Sequence, residues 1–193
     1  MKFYTIQTME FWENNKNNKY LENDYKYVTK EWVTQYKWMY KQMCERIEEV
    51  DSSMIWVWTT RPDLRRSGYS DKGNECVLLE LELDESQVLL SDFDMWHLPL
   101  NNMTVDMYDN EDIDKEKSWE RIFDFDLCME INKIAEETIA KEIKEGTYEY
   151  LEYISFEPNT NFEPNRNIEI LKQGVTSKVS LDNVKLIKIF KAR

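Results

Sequence analysis

The sequence predicts an α+β fold: one domain in which a mixed or antiparallel sheet is covered by flanking helices. Three observations predict it. Short runs of β-branched and aromatic residues are scattered from one end of the chain to the other, two long segments carry apolar residues at helical spacing, and no repeat or linker divides the 193 residues. A chain of that length is served by a single core. With 41% hydrophobic and 13% aromatic residues but only four Gly and four Pro, it has enough apolar surface to offset the entropy of ordering.

Lys2 to Gln7 alternates as a short strand, and Thr8 is placed to cap a helix that starts at Met9 and is anchored by Phe11 and Trp12. Asn14 to Asn18 reads as a solvated loop. From about Tyr27 to Val50, apolar residues recur at Val28, Trp32, Tyr36, Met39, Met43, Ile47 and Val50, which predicts a long amphipathic helix with one face on the core. Met54 to Thr59 is a strand with apolar residues on both faces, hence a central one. Residues 60–69 form a loop. A strand at Cys76 to Leu83 carries Val77, Leu79, Leu81 and Leu83 on one face, and Val88 to Leu90 adds a short apolar run.

Ser91 to Asn101 reads as a capped short helix docked by Phe93 and Trp96 and ended by Pro99. Residues 106–117 hold six acids against two lysines and read as an exposed excursion. Ser118 caps a segment bearing Trp119, Ile122 and Phe123, and a further helix runs from about Leu127 to Glu145 with Gly146 as its stop. Tyr148 to Phe156 fits neither period, and Ile168 to Val175 and Val184 to Phe190 close the sheet.

The net charge of −13 opposes direct binding to a nucleic-acid backbone, whose affinity comes from Lys and Arg neutralising phosphates. Cys44, Cys76 and Cys128 are far apart and odd in number, so each is expected to pack as a small buried hydrophobe in a reducing compartment. No apolar run approaches the ~18 residues of a membrane span, and a cytoplasmic protein is expected. The motifs of P-loop NTPases, α/β-hydrolases, zinc metalloproteases and Rossmann dehydrogenases are missing.

Two segments could carry chemistry. Asp92, Asp94 and His97 fall within six residues, but His97 is the only histidine, so no His-rich metal site can form and no metal is assigned. His97 and Asp92 would serve as an acid/base pair. Arg61, Arg65 and Arg66 cluster in an otherwise acidic chain just after Trp58. Guanidinium forks beside an aromatic face suit a nucleotide or other planar anion, whereas the bland alternative is that they pair with the protein's own carboxylates.

The residues Tyr4 to Gln7, Tyr36 to Met39, Ile55 to Trp58, Arg61 to Arg65, Leu89 to His97, Leu100-Asn101, Ser118 to Phe123 and Gln173-Gly174 together resemble the bacterial and phage domain-of-unknown-function family 3841, in order and over nearly the whole chain. The family implies no activity. Ser177 departs from its pattern, which would place an aromatic residue there. The chain is more distantly similar to small toxin-type ADP-ribosyltransferases. That similarity implies that a split sheet grips NAD, with Tyr4, Thr5 and Gln7 at the first position, Trp58 and Thr59 near the second, and Glu169 or Gln173 at the third. It also implies an arginine on the pyrophosphate.

Two functions are therefore expected from the sequence. One is a nucleotide-handling enzyme using Thr5, Gln7, Trp58, Arg61, Arg65, Asp92 and Trp96 to bind and His97, Glu169 or Gln173 to catalyse, with NAD as the possible cofactor. The other is a non-enzymatic acidic protein that meets a basic protein partner or imitates nucleic acid.

Overall fold

The computed structural model describes residues 1–23, 28–106, 113–147, 164 and 169–193. Residues 107–112, half of the acidic excursion, and the ambiguous stretch at 148–156 lie outside the described residues. The chain forms two compact units, one of residues 1–91 and 172–193 and the other of residues 92–171.

The first unit holds the sheet. Its strands are β1 (Lys2–Thr8), β3 (Ile55–Trp58), β4 (Glu75–Glu82), β5 (Val88–Asp92), β6 (Lys172–Thr176) and β8 (Val184–Lys191), in the order β5-β6-β3-β1-β4-β8. A second, two-stranded sheet pairs β2 (Tyr20–Leu21) with β7 (Val179–Ser180). The β1–β3, β1–β4, β3–β6 and β4–β8 pairings are all antiparallel. The fold is thus α+β around an antiparallel sheet.

Lys2–Thr8 lies between two neighbours because its alternation gives one apolar face: Phe3 pairs with Leu81, Thr5 with Leu79 and Gln7 with Val77. Phe3, Ile55, Val57, Val77, Leu79, Leu81 and Val88 form the core on that side, with Met9, Phe11 and Trp12 packed against it. These last three come from α1 (Met9–Asn15), whose first turn is capped by Thr8 Oγ1 accepting the Phe11 N–H at 3.1 Å. The helix runs two residues into the stretch read as a loop, since Asn15 is buried and its side chain is used. It donates to the Phe11 carbonyl and accepts the Glu22 N–H.

The long helix is shorter than its apolar stripe predicts. A single 3-10 turn at Lys30–Trp32 precedes α2 (Val33–Arg46), and Ile47 is already extended at φ −122°. Two residues on, Glu49 adopts φ +57°, a left-handed turn that no continuing helix can pass. Trp38, Met39 and Met43 are its buried apolar residues, joined by Gln35 and Gln42.

β5 and β6 approach each other unusually closely. A Cβ on Gly174 would sit 2.5 Å from Val88 Cγ1 and 3.0 Å from Leu90 Cδ2. Thr176 Oγ1 donates to the Gln87 carbonyl at 2.8 Å, which fixes one end of that contact.

The second unit is helical among its described residues: α3 (Phe93–Leu100), α4 (Lys115–Ser118) and α5 (Phe125–Glu145). Asp114 caps α4, while Ser118 makes no side-chain cap bond to the 3-10 turn Trp119–Phe123 that it was expected to cap. Ser118 is buried instead, accepting the Val105 N–H at 3.0 Å and donating to the Lys115 carbonyl at 2.6 Å. Asp124 caps α5, and Gly146 ends it at φ +72°, where its own N–H and that of Thr147 satisfy the carbonyls of Ile143 and Glu142. No helix among the described residues is long and apolar enough to cross a membrane.

Substituting Gly174→Ala should destabilise the protein by about 1–3 kcal/mol, the usual cost of overpacking. In urea denaturation, Gly174→Ala combined with Val88→Ala should cost less than the sum of the two single changes, because the second removes the methyl that the first strikes.

Candidate functional site

The register of the large sheet brings together residues that are far apart in sequence. Tyr4 pairs with Trp58 across β1 and β3, Trp58 with Gln173 across β3 and β6, and Tyr4 with Glu80 across β1 and β4. Directly paired residues share a face, so Gln173, Trp58, Tyr4 and Glu80 form one row across four strands. Ser91 extends it onto β5 by accepting a long 3.5 Å hydrogen bond from Gln173 Nε2. Gln173 is only 5% exposed and Ser91 is buried, whereas Trp58, Tyr4 and Glu80 are half-buried.

Glu80 is the row's carboxylate. Lys2 Nζ donates to it at 2.8 Å, and this bond, helped by the Tyr4 hydroxyl and by Lys185, holds its pKa below the usual carboxylate range against the opposing effect of burial. Thr5 and Gln7 lie on the opposite, core-facing side. Thr5 is buried in register with Leu79, and Gln7 Nε2 donates to Thr5 Oγ1 at 2.8 Å. Glu169 is exposed and precedes β6, so of the two third-position candidates only Gln173 stands in a strand.

The arginine loop divides. Arg65 is exposed but engaged, its guanidinium gripping Asp63 through both carboxylate oxygens at 2.8–3.1 Å. Asp63 is held down at about 2 by those bonds. Arg61 and Arg66 are exposed and make no ion pair among the described residues. The bland reading therefore accounts for Arg65 and leaves Arg61 available to a ligand.

On α3, Asp92 is the N-cap, its Oδ1 accepting the Met95 N–H at 2.8 Å. Asp92 is fully buried, and its Oδ2 has no hydrogen-bond partner among the described residues. Burial raises its pKa, aided by the neighbouring Asp94 charge and opposed by the backbone N–H groups of Met95 and Asp94. Beside it, burial and the charges of Asp92 and Asp124 push the Cys128 thiol up to about 12, so this cysteine is an inert packing residue. Cys76 is likewise buried, but Cys44 is exposed, contrary to the expectation that all three would pack inside.

Met95, Trp96 and Pro99 are the buried residues of α3. Phe93 is half-buried, edge-on to the exposed His97 ring at 4.7 Å. Pro99 lies inside the last turn. His97 Nδ1 is 2.9 Å from the Phe93 carbonyl, which can only accept, so the ring proton sits on Nδ1 and Nε2 is the outward acceptor.

A cavity of about 420 Å³ opens elsewhere in the first unit, lined by Tyr20, Glu48, Glu49, Asp84, Ser177 and Lys178 among others. Asp51 organises one of its walls. It accepts the Ser53 N–H at 2.8 Å and the Ser177 hydroxyl at 2.7 Å, and pairs with Lys178 Nζ at 3.0 Å. The same ammonium lies 5.0 Å from the centre of the Tyr20 ring. Burial raises the Asp51 pKa, but the Ser177, Ser53 and Lys178 interactions outweigh it and leave the pKa lowered. Sequence reading passed over this group, because its members come from four separated segments and share no motif. Ser177 takes the place of the aromatic residue expected there.

The family model described as "Domain of unknown function (DUF3841)" matches residues 2–116. The chain belongs to that family. No curated protein and no solved structure matches it. The DUF3841 match spans β1 through α3 and so includes Tyr4, Trp58, Glu80, Asp92 and His97, while Gln173 lies beyond it.

Half-buried Asp51 and buried Asp92 should respond to pH with opposite signs. Asp51 has a lowered folded pKa, so its contribution is present above the unfolded value and lost as pH falls through the folded one. Asp51→Ala should cost about 2 kcal/mol at neutral pH, typical of hydrogen bonds to a charged group, and less in acid. Asp92 has a raised folded pKa, so its ionisation costs stability as pH rises from about 4. Asp92→Asn keeps the cap and should gain on wild type as pH rises from there to neutrality. Urea midpoints measured across this range would check both signs.

Proposed function

We propose that this member of a bacterial and phage family is a cytoplasmic nucleotide-handling enzyme, ADP-ribosyltransferase-like in its use of NAD as co-substrate. The observation that carries the reading is the row Gln173–Trp58–Tyr4. Three residues that the resemblance assigns to separate positions stand in direct register on one sheet face. The half-buried indole of Trp58 suits a planar ring, and the buried amide of Gln173, braced by Ser91, suits a ribose hydroxyl or the carboxamide of nicotinamide. Arg61, three residues beyond Trp58 and without an ion pair among the described residues, suits the pyrophosphate.

In such a transfer the bond from ribose C1′ to the nicotinamide nitrogen breaks, and nicotinamide leaves with the bonding pair. A new bond then forms from C1′ to an oxygen or nitrogen nucleophile, which gives up its proton. Positive charge develops on the ribose as this happens, and groups fixed in advance against it lower the barrier. The uncharged Gln173 would orient the ribose through its amide. Glu80 would supply the negative field from the same face, and the proton given up by the nucleophile would pass to solvent.

Thermal unfolding with NAD, ATP and ADP-ribose tests the reading. A ligand at 100 times its Kd adds about 2.7 kcal/mol, which for a chain of this size raises Tm by roughly 5–11 °C. Trp58→Ala or Gln173→Ala should abolish the shift while leaving the unliganded Tm within a few degrees, and nicotinamide release from NAD should fall with them. If none of the three nucleotides moves Tm, the enzyme reading fails. The acidic chain, at −13, is then better read as the binder of a basic protein.

A further inference from the structure

Among the described residues, the last strand of the sheet has an open edge and two exposed apolar side chains. β8 ends the strand order, so one edge of its eight residues has no strand neighbour among the described residues. Its pairing with β4 defines the two faces. Val184 stands opposite Leu81, Leu186 opposite Leu79 and, past a bulge at Ile187, Ile189 opposite Val77, so all three continue the core face outward. Val184 packs on the core, but Leu186 is 38% exposed and Ile189 is 51% exposed. The opposite face carries Lys185, paired with Glu80, and Lys188, paired with Leu78.

Charge alternates across that second face. Lys2 on β1 bonds Glu80 on β4, and Glu80 lies in register with Lys185 on β8. The next place in the series calls for an acid. Lys188 has no carboxylate opposite it on β4 and is exposed.

We infer that the outer edge of β8 is a docking edge for an extended partner segment in which apolar and acidic residues alternate. Its apolar residues would cover Leu186 and Ile189, its acids would meet Lys185 and Lys188 on the other face, and its backbone would complete the open ladder. A second copy of this chain is a poor occupant. A two-fold antiparallel pairing centred on Lys188 sets that exposed lysine directly against its own copy, and like charges directly opposite destabilise a strand pair. The lysines thus guard the edge against self-association while selecting an acidic strand.

The test uses the full chain and three labelled ten-residue peptides: alternating Val and Glu, the same composition with the glutamates in one block, and alternating Val and Lys. Fluorescence anisotropy should show the alternating Val/Glu peptide binding at least tenfold more tightly than either of the others. Lys188→Glu, an exposed change that leaves the Lys2–Glu80 pair intact, should weaken that peptide by tenfold or more and strengthen the Val/Lys peptide. N-methylation of alternate amides on the hydrogen-bonding side should abolish binding. Equal affinity for the alternating and blocked peptides would overturn the inference. So would indifference to Lys188→Glu, or concentration-dependent dimerisation in sedimentation that Lys188→Glu alters.

Discussion

The seven-residue ladder between β1 and β4 sets Thr5 against Leu79 and Tyr4 against Glu80, and the arrangement of the sheet follows from that register. Because side chains alternate with a period of two, a slip by one residue would turn Phe3 and Thr5 away from the core and bring Lys2 and Tyr4 into it. The apolar face of β4 resists such a slip, since Val77, Leu79 and Leu81 are fully buried. With β1 held there, Trp58 and Gln173 are carried onto the face that Tyr4 occupies. Lys2 meets Glu80 by the same constraint.

Electrostatics in this acidic chain are mostly local. Asp63 absorbs Arg65, Asp51 holds Lys178 and Ser177, and Asp106 pairs with Arg121, so much of the positive charge is spent on neighbouring carboxylates. Besides Arg61 and Arg66, two further groups depart from that pattern among the described residues. Asp92 is buried with one oxygen unpartnered, a costly state for a charged form. On β8, an edge strand among the described residues, Lys185 faces Glu80 but Lys188 faces Leu78 with no carboxylate opposite it. A buried, unsatisfied carboxyl and an exposed, under-neutralised strand are both places where a fold departs from its most stable arrangement, which is where function tends to be found.

Much of the local structure was legible in the sequence because its causes are local. Thr8 before Met9, and Gly146 after a helical period, act through bonds to backbone groups three to five residues away, and both stand where those bonds require. Errors arose where a distant partner decided the outcome. Asn15 joins α1 because it also caps Glu22, and Ser118 is drawn inside by the Val105 N–H instead of capping a helix. The apolar stripe of α2 overran the helix because periodicity carries no record of the left-handed turn at Glu49.

By itself, the sequence determined the fold class, the central place of the Ile55–Trp58 run, the capped helix after Ser91 and the family, since periodicity, capping and ordered motifs are properties of short stretches. Only the tertiary structure decided which face each strand residue shares and with whom. That is why Tyr4 rather than Thr5 or Gln7 joins Trp58 and Gln173, while Glu169 belongs to no strand. Strand order and register arise from contacts between segments more than a hundred residues apart, such as Trp58 with Gln173. The identity of a residue does not record the partner that packing will bring to it.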